Sequence, residues 1–268
     1  MATIKIGLDA GHGLKTAGKQ TPDGIKEWTL NDKVRDKVVD ILKDYDCEII
    51  HVDNNEGNTD ETLASRLNRY VSAGVSAFVS IHHNAYTGKW NNATGVEVYT
   101  DRNPIAKDTQ LANAIYNRLV KYTGLKGRGV KAEAWYVINQ NRIPAVLVEG
   151  GFMDSNIDYK VITSDAGQTA YAKAVAEGLI EFLNLKKKAT STTTANSGDF
   201  KAYKVKVICS ALNIRKTPTW ADSDIVGCIR DKGTYTIVAE KMLGDTKFGK
   251  LKSGAGWISL GSSYVKKV

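Results

Sequence analysis

Ala145-Val146-Leu147-Val148-Glu149 is an apolar run that ends in a carboxylate and a glycine pair, Gly150-Gly151. Four apolar residues in a row, bounded by turn signals, predict a buried strand. A carboxylate at the end of such a strand is costly to bury without a partner, so Glu149 needs one. Outward from this run, strand and helix signals alternate. Strands are predicted over 4–9, 48–52, 77–82 and 95–99. Helices are predicted over 26–44, 62–71, 104–122 and 165–184. In the first helix Leu30, Val34, Val38, Ile41 and Leu42 share one face, and in the second Leu63, Leu67, Tyr70 and Val71 do. Alternation of this kind predicts an α/β domain layered around a mostly parallel sheet. In such sheets ligands sit beyond the carboxyl ends of the strands.

The chain has 268 residues, room for two domains. No stretch approaches the roughly 18 uncharged apolar residues of a membrane span. The start, Met1-Ala2-Thr3-Ile4-Lys5-Ile6, is too short and polar for a secretory signal, so the expected place of synthesis is the cytoplasm. Three widely spaced cysteines, Cys47, Cys209 and Cys228, suggest neither a disulfide framework nor a zinc finger. Cys209 and Cys228 are close enough in sequence to pair, although buried free thiols are common. Net charge is +8, and it is unevenly distributed. Residues 1–185 carry 21 basic and 23 acidic side chains, whereas residues 200–268 carry 13 and 5. Between them lies Lys186-Lys187-Lys188 and a run of small polar residues to 199, which reads as a linker. After it, short β-rich runs broken by glycines predict a small all-β barrel.

Four polar residues are hard to explain by packing. His12 follows the first strand in Asp9-Ala10-Gly11-His12-Gly13, and Glu27 opens the first long helix. His82 ends the third strand in Ser80-Ile81-His82-His83-Asn84, and Glu149 ends the apolar one. Singly, each has a bland reading. His12 could be a turn residue, Glu27 a first-turn acid favoured by the helix dipole, and His82 and His83 an exposed pair. Strand alternation sends those two histidines to opposite faces, so only one can point at a shared site. Together, strand ends along one sheet edge can converge. Two imidazoles and a carboxylate make a zinc site with one open position, and a second carboxylate can act as general base.

The order and spacing of these segments, with Val148-Glu149-Gly150-Gly151-Phe152-Met153, resemble the zinc-dependent N-acetylmuramoyl-L-alanine amidases of the amidase-3 type over residues 1–184. The resemblance implies a three-layer α/β/α sandwich in which His12, Glu27 and His82 ligate Zn2+ and Glu149 is the catalytic carboxylate. It also implies hydrolysis of the amide between N-acetylmuramic acid and L-alanine in bacterial peptidoglycan. Asn84 is a candidate substrate contact or a turn-stabilising residue. Several relatives carry Asn-Pro soon after the Gly-Phe pair, where this chain has Asp154-Ser155-Asn156-Ile157-Asp158.

In residues 200–268, Leu212-Asn213-Ile214-Arg215 and Gly256-Trp257-Ile258 resemble a bacterial SH3 (SH3b) wall-binding domain, which implies binding to a cell-wall polymer. The expected domains are therefore a zinc amidase over 1–185, a linker over 186–199 and an SH3b-like binder over 200–268. Together they resemble a bacteriophage endolysin, made in the host cytoplasm and acting at the wall after release. Other zinc peptidoglycan hydrolases (a peptidase or deacetylase) and a non-enzymatic wall binder are alternatives. No nucleic-acid-binding motif accompanies the basic tail, and neither nucleic acid nor membrane is an expected partner.

Overall fold

The alternating elements of the first 188 residues build one six-stranded sheet in the computed structural model, which describes residues 3–188, 200–220, 224–243 and 246–268. In chain order the elements are β1 (Lys5–Ala10), α1 (Glu27–Leu42), β2 (Glu48–His51), α2 (Leu63–Ala73), β3 (Ala77–Asn84), β4 (Val96–Thr100), α3 (Ala106–Thr123), β5 (Gly127–Ala132), β6 (Ala145–Phe152), α4 (Tyr159–Ile162) and α5 (Asp165–Leu183). The spatial order is β2-β1-β3-β6-β4-β5. β2, β1, β3 and β6 run parallel, and β4 and β5, parallel to each other, run against them.

Strand alternation divides the core. Ile6, Leu8, Val79, Ile81, Val146 and Val148 face α1, α3 and α5, while Phe78, Ala145 and Leu147 face the side where α2 supplies Tyr70 and the 133–144 loop supplies Val137 and Ile138. The second face carries one helix against three, and the polar ends of the strands open there. Thr62 and Ser164 cap α2 and α5 by accepting from the amides of Ser65 and Gly167 at 3.1 and 3.0 Å.

Three features differ from the sequence expectation. β3 and β6 continue past His82 and Glu149 to Asn84 and Phe152, because backbone pairing holds the chain after the apolar run stops. β5 has glycines and charges where a strand usually shows alternating apolar residues, and it forms as an edge strand paired to β4. In α2, Leu67, Tyr70 and Val71 pack into the core as expected, but Leu63 is exposed, and Arg66 is buried beside them.

The chain divides into two compact units between Lys188 and Ala189. Lys186, Lys187 and Lys188, expected to begin the linker, pair with the 44–46 segment of the first unit: the Asp46 amide donates to Lys186 O and the Lys188 amide to Asp44 O, each at 2.8 Å. The remainder of that expectation, residues 189–199, lies outside the described residues. The second unit is a seven-stranded antiparallel sheet of β7 (Tyr203–Val207), β8 (Leu212–Arg215), β9 (Ile225–Ile229), β10 (Thr234–Leu243), β11 (Thr246–Leu251), β12 (Trp257–Ser259) and β13 (Val265–Lys267), in the order β13-β7-β10-β11-β12-β8-β9. Val205, Val207, Leu212, Ile229, Ile237, Leu251, Ile258 and Val265 form its core. All three cysteines are free.

Candidate active site

β1 delivers His12 just beyond its last residue. His12 has a φ of 68°, left-handed backbone that costs a non-glycine residue about 1–2 kcal/mol. Arg66, buried in α2, holds this turn: it donates to His12 O at 2.7 Å and Ala10 O at 3.1 Å and pairs with the buried carboxylate of Asp9. Gly11 is required for another reason. A Cβ there would lie 2.1 Å from the His82 ring, so only glycine lets β1 pass beside that imidazole.

Glu27 is the first residue of α1 and continues its buried face, with Asn31 one turn later. Only 2% exposed, Glu27 lies between the two imidazoles: Oε2 is 3.2 Å from His12 Nε2 and Oε1 is 3.1 Å from His82 Nδ1. The two rings meet edge to face at 4.9 Å between centroids. One ligand atom from each of these three residues lies within 4.8 Å of the others, the only such group of three or more among the described residues. Burial pushes the Glu27 carboxyl up, but its hydrogen bonds with His12 and His82 outweigh that and hold it well below the usual carboxylate range. The His83 amide also donates to Glu27 Oε1, at 3.2 Å.

Behind His82 runs a polar chain. Ser80 Oγ donates to Asp9 Oδ2 at 2.6 Å and lies 3.1 Å from His82 Nε2. Its proton being committed to Asp9, the hydroxyl can only accept from Nε2–H. Ser80 thereby orients the His82 ring, whose Nδ1 faces Glu27.

His82 and Glu149 are register partners on adjacent strands, so their side chains leave the same face of the sheet. Glu149 is 8% exposed, and its Oε2 is buried with no hydrogen-bond partner. Burial, then the charges of Glu27 and Glu97, push its carboxyl well above the usual range, with Lys19 opposing. Tyr171 of α5 braces the two strands by donating to Val148 O at 2.8 Å and His82 O at 3.2 Å. His12, Glu27, His82 and Glu149 all line one cleft of ≈ 690 Å³, with Leu63, Trp135, Tyr136 and Met153 among its apolar walls. Asn84 lines it too, but both ends of its amide are engaged: Nδ2 donates to Glu97 at 2.6 Å and Oδ1 accepts from the Ala85 amide at 2.8 Å. His83 points to the opposite face, as alternation requires. Its Nδ1 is 2.7 Å from Asn31 Oδ1, and burial pushes it down to about 4. His51, on β2 and paired with Leu8, is outside the cluster.

Sequence reasoning missed Gly11, Asp9, Ser80, Asn31 and Arg66. Asn31 carried a readable signal, a polar residue inside the apolar stripe of α1. Arg66 did not, because its buried carboxylate partner Asp9 and the His12 turn that it holds lie more than 50 residues away.

A family model described as N-acetylmuramoyl-L-alanine amidase matches residues 6–181. Over 268 aligned residues the chain is 30% identical to the endolysin of Bacillus phage SPP1, which covers 97% of each protein. It is 28% identical over 213 residues to the sporulation-specific N-acetylmuramoyl-L-alanine amidase of Bacillus subtilis, 78% of this chain and 79% of that one. Among solved structures, the catalytic domain of CwlV, an N-acetylmuramoyl-L-alanine amidase from Bacillus (Paenibacillus) polymyxa, matches with a TM-score of 0.63 at 28% identity, covering 68% of this chain and 99% of that one.

Proposed function

The chain belongs to the amidase-3 family of N-acetylmuramoyl-L-alanine amidases, and from that premise we propose that His12, Glu27 and His82 hold a catalytic zinc ion and that Glu149 carries the proton. The reaction is hydrolysis of the amide between N-acetylmuramic acid and L-alanine in peptidoglycan.

The single observation that carries the site reading is the Glu27 carboxylate, only 2% exposed, with a ring nitrogen of His12 at 3.2 Å and one of His82 at 3.1 Å. One ligand atom from each of the three residues lies within 4.8 Å of the others, close enough to share one cation. Two imidazoles and one carboxylate are a common three-ligand set for catalytic zinc, with the cleft side left for water and substrate. When bound there, zinc supplies Lewis acidity, polarising the carbonyl and making water acidic enough to attack near neutral pH. Glu149 Oε2, free of other hydrogen bonds, takes the proton of the attacking water and delivers it to the leaving alanine nitrogen. The apolar walls, Leu63, Trp135 and Met153, exclude bulk water from that transfer. The Arg66–Asp9–Ser80 chain holds the His82 ring in its orientation.

Residues 200–268 act as the wall-binding module, an SH3b-like barrel for an anionic polymer. Lys206 of β7 stands directly opposite Lys266 of β13, and Lys204 follows on the same exposed face. Like charges in register destabilise a sheet. An anionic ligand offsets that repulsion. The match to an endolysin over 97% of each protein supports action at the bacterial wall. Among the described residues no helix is long and apolar enough to cross a membrane.

Digestion of purified walls tests the reaction. New alanine amino termini without new reducing sugar ends are expected. Glu149→Gln should keep the zinc and lose roughly 10²–10⁴-fold in rate. Loss of the metal with Glu149→Gln would make this residue a ligand and remove the proposed proton carrier.

A further inference from the structure

The loop that follows β3 exposes two large aromatic side chains: Tyr86 is 73% and Trp90 45% exposed. Exposed rings on loops usually move, but this loop is fixed from below. The Asp154 carboxylate, wholly buried, accepts from the amides of Tyr86 at 3.0 Å and of Thr87 and Gly88 at 2.8 Å. The Asn91 amide donates to Asp154 O at 2.9 Å and Asn91 O accepts from the Asn156 amide at 2.8 Å, so both ends of the loop are tied to the segment after β6. Trp90 stands edge-on to Tyr159 at 5.0 Å between centroids, and the Tyr159 hydroxyl donates to Asp23 at 2.5 Å. Ala85 and Met153, the neighbours of Tyr86 and Asp154, line the catalytic cleft. The loop therefore starts at the cleft wall, and the segment that anchors it does too. Two large exposed aromatic side chains thus stand on a backbone that a buried carboxylate holds in place.

From this arrangement we propose that the Tyr86–Trp90 loop is a carbohydrate platform that seats the glycan strand as it leaves the cleft. The inference rests on the amidase reading of the cleft, since the scissile amide joins a sugar's lactyl group to a peptide and one arm of the substrate must be glycan. Pyranose rings present flat C–H faces that stack on aromatic rings and hydroxyls that need polar neighbours. Lys89 and Asn92, exposed or half-exposed neighbours of Trp90 in the chain, and Asn156, which donates to Asn92 Oδ1 at 3.1 Å, offer such groups. A rigid platform binds without the ordering cost that a mobile loop would incur.

Calorimetric titration of the full chain with a peptide-free hexasaccharide of alternating N-acetylglucosamine and N-acetylmuramic acid tests this without turnover. The wild type should bind it, and Tyr86→Ala and Trp90→Ala should each weaken binding by roughly two- to tenfold, with Trp90→Phe recovering most of the loss. On intact glycan strands both alanine variants should raise KM and leave kcat unchanged. On a single disaccharide-peptide KM should be unchanged. Zinc content measured on each variant separates loss of the platform from collapse of the metal site. Hexasaccharide affinity equal in wild type and both alanine variants would overturn the proposal, as would an equal rise in KM on the disaccharide-peptide. Wild type that binds the hexasaccharide but cleaves neither substrate would count against the amidase reading and leave the platform standing.

Discussion

Gly11→Ala is the sharpest perturbation of the site, because it adds one methyl group and leaves every proposed ligand in place. The Gly11 backbone lies outside the left-handed region, so alanine meets no conformational obstacle there. The obstacle is the imidazole: the new Cβ would lie 2.1 Å from His82 Cε1, 2.2 Å from Nε2 and 2.6 Å from Nδ1. A carbon–carbon contact needs about 3.5 Å, so the ring must retreat by about 1.4 Å. It has no free path, since Ser80 holds Nε2 and Glu27 faces Nδ1. A catalytic constellation tolerates about 0.5 Å of error, and about 1 Å of misplacement costs on the order of 10²-fold in rate. Overpacking should also cost about 1–3 kcal/mol of stability. Zinc stoichiometry, kcat/KM on purified walls and a urea melt read the three effects. A Gly11→Ala protein with full zinc and wild-type rate would refute the reasoning, because His82 could not then hold the position assigned to it.

Arg66→Met should destabilise the first unit by about 3–5 kcal/mol in a denaturant melt, because it strands the buried Asp9 carboxylate and releases the His12 turn. Gly150→Ala should be similarly harmful, since its Cβ would fall 2.0 Å from the Tyr171 ring that braces β3 and β6. The triple change of Lys204, Lys206 and Lys266 to alanine should reduce binding of the full chain to walls and flatten its dependence on salt, measured by co-sedimentation at several ionic strengths. The same variant should keep its amidase rate on a soluble muramyl peptide, because no site residue is touched.

The layered α/β body was legible because its strands and helices alternate and each carries its own period. The site was legible where a polar residue sat at the end of an apolar run, as with His82 and Glu149. Glu27 was different: at the start of a helix it looks like any first-turn acid, and only the resemblance singled it out. Arg66 shows where reading stops. A buried guanidinium belongs to an apolar-looking helix face only when a carboxylate arrives from another element, and Asp9 lies 57 positions earlier. β5 was invisible for a related reason. Its half-exposed Gly127-Arg128-Gly129-Val130-Lys131-Ala132 has no apolar alternation, and it is a strand because β4 offers an unpaired edge. Gly11 reads as a turn glycine until the His82 ring is seen beside it.

Anomalous diffraction at the zinc absorption edge, on crystals of the metal-loaded protein, tests the central claim most directly. A single strong peak bounded by the imidazoles of His12 and His82 and the carboxylate of Glu27, with Glu149 nearby and unbonded, is the predicted result. A peak elsewhere, or one ligated by His51, His83 or Glu149 in place of any of the three, would contradict it.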